Sequence, residues 1–346
     1  MVQSGVQNAR LHRARDVQVL RGEHENMKIL SIANFKGGTG KTVTACNLAA
    51  ILARDGKRVL LIDADAQHNS SDFLGADPEG CSLTDVLEGT GEPTAADNVQ
   101  ETTLDRLDVL PADMGLLRLD LAAILNQSNA PLRRMDDFLD CLREDGDYDV
   151  VVIDCPPSFT AASVAALVNS DEVLMPTRSD AFSRTGVLEI REQLENVGLK
   201  LLRPLPRIRV LVTMAHSNAT LPKQVTELYK EAGFEVCRTV IRSGEVMNQS
   251  TWQRKPLYVV APGTNVARDY ETLANELFDS ENFRLNEQIE LYLSKAISSE
   301  RAAVNLGISR TTFLRRVDAY KASKKRPRGR PKKNDLKRAD EISRGV

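Results

Sequence analysis

Lys36-Gly37-Gly38-Thr39-Gly40-Lys41-Thr42 is the stretch that most restricts what this chain can fold into. It is entered from an apolar run, Lys28–Ala33, and left through an alanine-rich run, Thr42–Ala53. Strand, glycine loop and helix in that order make a cradle for nucleotide phosphates. Glycines let backbone N–H groups approach phosphate oxygens with no Cβ in the way, and the helix N-terminus adds a favourable dipole. The spacing places Lys41 to reach the β- and γ-phosphates and the Thr42 hydroxyl to ligate Mg²⁺. The candidate nucleotide-binding residues are therefore Gly37, Gly38, Thr39, Gly40, Lys41, Thr42 and Val43. A bare glycine turn is the alternative for any motif this short, and the structured runs on both sides argue against it.

From Met27 to about Ser280 the pattern alternates. Apolar runs at Lys28–Asn34, Arg58–Asp63, Leu107–Pro111, Val150–Asp154, Glu172–Pro176, Arg207–Thr213 and Glu235–Val240 predict strands. Between them, Thr42–Ala53, Arg133–Glu144, Ser158–Val168, Thr185–Val197 and Pro222–Ala232 predict helices. Such alternation implies an α/β fold with a mostly parallel sheet covered on both faces. Asp77–Thr103, rich in Gly, Pro, Asp and Thr, reads as a surface loop with one short helix.

Ligands of such sheets bind beyond the carboxyl ends of the strands, and two acidic motifs fall there. Leu60-Leu61-Ile62-Asp63-Ala64-Asp65 ends one predicted strand and Val150-Val151-Val152-Ile153-Asp154 ends another. An acid so placed beside a phosphate loop can hold Mg²⁺ through water and position an attacking water. The plainer reading is acidic strand caps.

The loop departs from G-x-x-x-x-G-K-[ST] in having Phe35 where that pattern has glycine, and it adds a second lysine, Lys36, at its start. In this the sequence resembles the ParA/MinD family of deviant-Walker ATPases, and in its later part the ParA branch. The resemblance covers about 250 residues, from Met27 to near Leu277, and is more specific in the loop motifs than downstream. It implies a P-loop ATPase with ATP and Mg²⁺ as cofactors and slow turnover. It also implies a homodimer on ATP binding, with Lys36 reaching across to the partner's nucleotide. Asp65 maps to the acid that polarises the hydrolytic water, so Lys36, Lys41 and Asp65 become the candidate catalytic residues. Thr42, Asp63 and Asp154 map to the magnesium network. Arg242, Arg254 and Lys255 lie where partition ATPases carry basic residues for nonspecific DNA.

A net charge of −2 conceals an asymmetry. Residues 321–338 hold ten basic residues and one acid, Asp335, so this segment is +9 and the remainder −11. Blocks of this kind usually bind a polyanion. Just before it, Ser299–Val317 reads as a helix-turn-helix, with Ser298 or Ser299 capping the first helix, Gly307 in the turn and Ser309 capping the second. Ala303, Leu306, Ile308, Phe313, Leu314 and Val317 would form its core. Arg310, Thr311, Thr312, Arg315 and Arg316 would face a major groove. An ordinary helical hairpin with a basic face is the alternative. Pro327-Arg328-Gly329-Arg330-Pro331 resembles an AT-hook, in which Arg328 and Arg330 enter an A·T-rich minor groove. A generic polybasic tail is the alternative there.

The expected organisation is a flexible leader (1–26), a ParA-like ATPase domain (27–280), a helix-turn-helix-like module (285–320) and a basic disordered tail (321–346). No apolar run approaches the length needed to cross a bilayer, and the proline- and glycine-broken terminus does not read as an amphipathic membrane helix. Five scattered cysteines without a CxxC fit a reducing cytoplasm rather than a disulfide or zinc framework. The expected function is plasmid, mobile-element or chromosome partition on the nucleoid, with a ParB-like partner stimulating hydrolysis. The rivals are a nucleotide-gated transcription regulator and a metabolic or metallocluster relative using the same loop.

Overall fold

The computed structural model describes residues 27–77, 79–90, 98–126, 129–178, 183–201, 203–215 and 220–324. The leader and the AT-hook-like segment with Arg328 and Arg330 lie outside them. The chain divides into two compact units, Met1–Leu277 and Phe278–Val346.

The first unit is built on strands β1 (Lys28–Ile32), β2 (Val59–Asp63), β3 (Gln100–Glu101), β4 (Leu107–Leu110), β5 (Val150–Asp154), β6 (Glu172–Arg178), β7 (Arg207–Ala215) and β8 (Glu235–Arg242). They form an eight-stranded sheet in the order β3-β4-β2-β5-β1-β6-β7-β8. Every neighbouring pair is parallel except β3 with β4. The runs VLLID of β2 and VVVID of β5 are buried at every residue, as strands covered on both faces must be.

The helices of this unit are α1 (Lys41–Arg54), α2 (Asn69–Leu74), α3 (Leu83–Glu88), α4 (Gly115–Asn126), α5 (Ala130–Asp145), α6 (Ala161–Val168), α7 (Ser183–Leu201), α8 (Thr220–Glu231), α9 (Val246–Gln253), α10 (Leu257–Val260) and α11 (Asn265–Phe278). Helix α1 buries everything from Thr44 to Ala53, and its small residues Ala45, Ala49 and Ala50 let it lie close on the sheet. The structure adjusts several predicted boundaries. Helix α6 begins at Ala161 rather than Ser158, because the Thr160 hydroxyl accepts from Ser163 N at 3.0 Å and fixes the start there. Strands β6, β7 and β8 run two residues further than their apolar runs suggested, to Arg178, Ala215 and Arg242. The Asp77–Thr103 region holds α3 and also the short antiparallel β3.

Strand order positions the site. β5 lies between β1 and β2, with Asp154 paired in register to Ile32 on one side and Asp63 on the other. The glycine loop after β1 and both carboxylates therefore leave the sheet along one edge.

The second unit contains α12 (Ser280–Leu293), α13 (Ser299–Asn305) and α14 (Arg310–Lys324). Ile289, Ala302, Ala303, Phe313 and Val317 are its buried core, flanked by Leu306, Ile308 and Leu314. The Ser298 hydroxyl caps α13 by accepting from Arg301 N at 3.2 Å, and Ser309 caps α14 by accepting from Thr312 N at 3.1 Å. Gly307 turns the chain between these helices at φ 64°. Among the described residues no helix is long and apolar enough to cross a membrane.

Candidate nucleotide site

The loop from Asn34 to Gly40 is fixed from beneath. Asn34 is fully buried, donating to Pro176 O at 2.8 Å and accepting from Lys36 N at 3.0 Å. Gly38 (φ 69°) and Gly40 (φ 89°) both sit in left-handed backbone, where a side chain is strained. Thr39 is buried, and its carbonyl accepts from the Thr213 hydroxyl at 2.8 Å. Thr213 ends the regular part of β7, after which Met214 is held at φ 51° within a register shift of the strand. A non-glycine residue in that region stores strain that surrounding contacts must hold. Phe35, at the departure from the common loop pattern, packs edge-on against Phe159 with ring centroids 4.7 Å apart. That contact joins the phosphate loop to the segment following Asp154.

Lys41, the first residue of α1, is only 8% exposed, and its Nζ lies 3.4 Å from Lys36 O. Burial pushes its ammonium below the ordinary lysine range, while the carboxylates of Asp154 and Asp65 pull it back up. A buried cation at a helix N-terminus, next to backbone donors, is a site built for an anion. Lys36 is half-buried at the start of the same loop, and Thr42 and Val43 are half-buried in the first turn of α1.

Asp63 and Asp154 are buried side by side. Desolvation, followed by mutual repulsion at Asp154, pushes both carboxyls well above the usual carboxylate range. Helix α2 supplies their hydrogen bonds. Ser71 donates from its N at 2.9 Å and its hydroxyl at 2.8 Å to Asp63 Oδ2, and the Ser70 hydroxyl donates to Asp154 Oδ2. Asp63 Oδ1 accepts from Asp65 N at 3.1 Å. Asp154 Oδ1 is buried with no well-formed hydrogen bond among the described residues. Asp65 is half-buried at the mouth, accepting from Gln67 N at 3.0 Å.

This donor set fits Mg²⁺. Among the described residues no cluster of three or more His, Cys, Asp and Glu side chains could cage a metal. Magnesium does not need one, since it keeps several waters and takes phosphate oxygens with one or two protein ligands. The Thr42 hydroxyl and the neighbouring Asp154 carboxylate would be those ligands, with Asp63 beside them. Ser70, Ser71 and Thr213 had no signature in the sequence. Two of the partners are remote in the chain, 84 residues for Ser70 with Asp154 and 174 for Thr213 with Thr39, whereas Ser71 reaches back only eight residues to Asp63.

The residues considered for DNA lie elsewhere. The Arg242 guanidinium is engaged by Asp269, with Nε 2.9 Å from Oδ2. Arg254 and Lys255 are exposed on the turn between α9 and α10, where Arg254 lies 3.5 Å from Asp72. In the second unit Arg310 bonds the Ser299 hydroxyl at 2.9 Å and Glu300 at 2.8 Å, while Thr311, Arg315 and Arg316 are exposed on α14.

Comparison with known proteins agrees with this geometry. A family described as "AAA domain" matches residues 27–205. The chain is 34% identical over 261 residues to the chromosome partitioning protein ParA of Caulobacter vibrioides, covering 75% of this chain and 96% of that protein. It is also 34% identical over 254 residues to the sporulation initiation inhibitor protein Soj of Bacillus subtilis, covering 72% and 98%. Among solved structures, cobyrinic acid a,c-diamide synthase from Mycobacterium smegmatis with bound ADP and magnesium superposes with a TM-score of 0.60. It is 26% identical and covers 72% of this chain and 94% of that one. Phosphate loop, paired strand-end carboxylates and kinship over nearly the whole length of the partition proteins converge: the chain belongs to the ParA/MinD family of P-loop ATPases.

Proposed function

We propose that this ATPase is a partition-type switch that binds DNA as an ATP-bound homodimer and releases it after hydrolysis. The observation that carries this reading is the phosphate cradle itself. A buried Lys41 faces carboxylates beside the loop that also presents a second, half-buried lysine, Lys36. ATP and Mg²⁺ are its cofactors. When bound, Mg²⁺ neutralises charge on the β- and γ-phosphates.

The chain's own residues do the rest. Backbone N–H groups of Gly37 to Gly40 and the Lys41 ammonium hold phosphate oxygens and stabilise charge that develops on them. Asp65, at the mouth, orients the attacking water. Lys36 from the second subunit completes the site, so nucleotide joins the two copies and hydrolysis sets their lifetime together. Ser70 and Ser71 hold the two buried carboxylates in place.

Arg254 and Lys255, the exposed face of α14 and the basic terminus are the DNA-contacting elements in this reading. Cargo is then a plasmid, a mobile element or a chromosome region. A ParB-like partner accelerates hydrolysis, and the protein works in the cytoplasm on the nucleoid. Light scattering with Mg-ATP tests the first step. The full chain should dimerise with ATP but not ADP, and Lys36→Ala should stay monomeric while still binding ATP. Dimerisation indifferent to nucleotide or to Lys36 contradicts the proposal.

A second reading, a nucleotide-gated regulator, is favoured by one observation. The C-terminal unit has its own buried core and leaves Thr311, Arg315 and Arg316 outward on one helix. It predicts a defined operator, bound equally well by Asp65→Ala.

A further inference from the structure

Trp252 is the chain's single tryptophan, and it is 90% exposed at the end of α9. A ring of this size is rarely left so open to water without a partner. The turn that carries it is rigid. Arg254 closes the helix in left-handed backbone at φ 50°, with its N donating to Thr251 O at 3.2 Å. The buried Ser250 hydroxyl donates to Lys255 O at 2.7 Å, and Lys255 N returns to Ser250 O at 3.1 Å. Two residues on, Leu257 N donates to Asn47 Oδ1 of α1 at 2.7 Å, anchoring the turn to the helix that follows the phosphate loop. The ring is thus presented on a fixed platform rather than on a free loop.

The chemistry around it selects the partner. From Val246 to Arg268 the chain has no acidic residue, and Arg254 and Lys255 come two and three residues after the tryptophan, with Asp72 of α2 3.5 Å from Arg254 at the exposed surface. Asn248, Gln249, Thr251 and Gln253 are the other exposed side chains of this helix end. A ring carried on a helix end of amides and followed by two cations does not suit a lipid surface or the apolar centre of a protein interface. It suits a polyanion that also offers flat aromatic faces.

We propose that the α9–α10 turn is a nucleic-acid contact in which Trp252 packs against bases while Arg254 and Lys255 take phosphates. Stacking of this kind tolerates any sequence, because every base has a π-face, and the cations add a salt-dependent component. The inference rests on the DNA-binding reading above and assigns it a base-contacting residue.

The sole tryptophan is its own probe. With Mg-ATP present, the full chain is titrated with a fluorescein-labelled random duplex and separately with single-stranded oligo-dT, following label anisotropy and tryptophan emission together. Emission should be quenched about two-fold or more and become shielded from iodide as anisotropy saturates. Trp252→Ala should weaken binding about ten-fold or more, with Trp252→Phe recovering part of the loss and basal ATPase unchanged in both. Saturating anisotropy with unchanged emission and iodide access overturns the inference while leaving DNA binding intact. Emission that shifts fully with Mg-ATP alone also overturns it, since the ring then lies between copies. Absence of any DNA binding overturns the inference together with the functional reading beneath it.

Discussion

The nucleotide end of the sheet and the C-terminal unit solve opposite problems. At the first, charged groups are buried: Lys41 lies in the interior against the Lys36 carbonyl of the loop, and Asp63 and Asp154 depend on hydrogen bonds from α2. In the second, five apolar residues make the buried core, and the charged residues Arg315 and Arg316 stay in water. Burying charge without a full set of partners is costly, so such a site is retained where a ligand completes it. An exposed basic face costs nothing to leave empty. The contrast teaches that one region is strained toward its ligand whereas the other only displays residues to one.

The sharpest way to break the comparison is at the strained end. Lys41→Ala should remove the cation that the loop is wrapped around and lower ATP hydrolysis about 100-fold or more, measured as phosphate release. The C-terminal unit should be untouched. Conversely, Phe313→Ala, in the packed core of that unit, should cost about 3–5 kcal/mol, more than so small a core can lose. Limited proteolysis should then cut between 278 and 324, while ATPase activity persists. Loss of both together would mean that the units are not independently stable.

Ser70→Ala is a finer instrument. It leaves a buried carboxylate oxygen of Asp154 without its donor, so the nucleotide-free protein should lose about 1–3 kcal/mol in urea denaturation. Both carboxyls titrate above the ordinary range because folding desolvates them. The folded state therefore holds these protons more tightly than the unfolded chain. Their contribution is most favourable below about pH 4 and is lost as pH rises toward neutrality. Thermal scans of the nucleotide-free protein should show this decline, and Mg-ATP should offset it. Nothing comparable is expected from the exposed arginines of α14.

The smallest expected effect lies at the surface of the first unit. Asp72 of α2 lies 3.5 Å from Arg254, and the same helix holds Asp63 and Asp154 through Ser71 and Ser70. The pair is exposed, so Asp72→Ala should change stability by less than about 1 kcal/mol. Its measurable consequence should be a narrower difference in DNA affinity between the ATP and ADP forms.

What the sequence showed follows the same division. The glycine loop, Asp63 and Asp154 were legible because each ends an apolar run, and strand order then brought them together. Helix α4 was not. It buries Leu116 and Leu119 but also exposes Leu117, Leu121, Ile124 and Leu125, so no amphipathic period marks it. The hydroxyls that orient the site were invisible because a serine carries no sign of which carboxylate it will meet, whether Asp63 eight residues before Ser71 or Asp154 84 residues after Ser70. In the second unit the caps and turn glycine were local, and α13 and α14 appear where those signals placed them, whereas α12 begins at Ser280, ahead of the expected module, and adds Ile289 to the core. The use of that unit's surface is not written in its fold.

The most direct test of the central claim is DNA affinity of the full chain in Mg-ATP, Mg-ADP and no nucleotide, with Lys36→Ala alongside. The account predicts tight binding only with ATP, and its loss in Lys36→Ala. Equal binding in all three states, unaffected by Lys36, would contradict it.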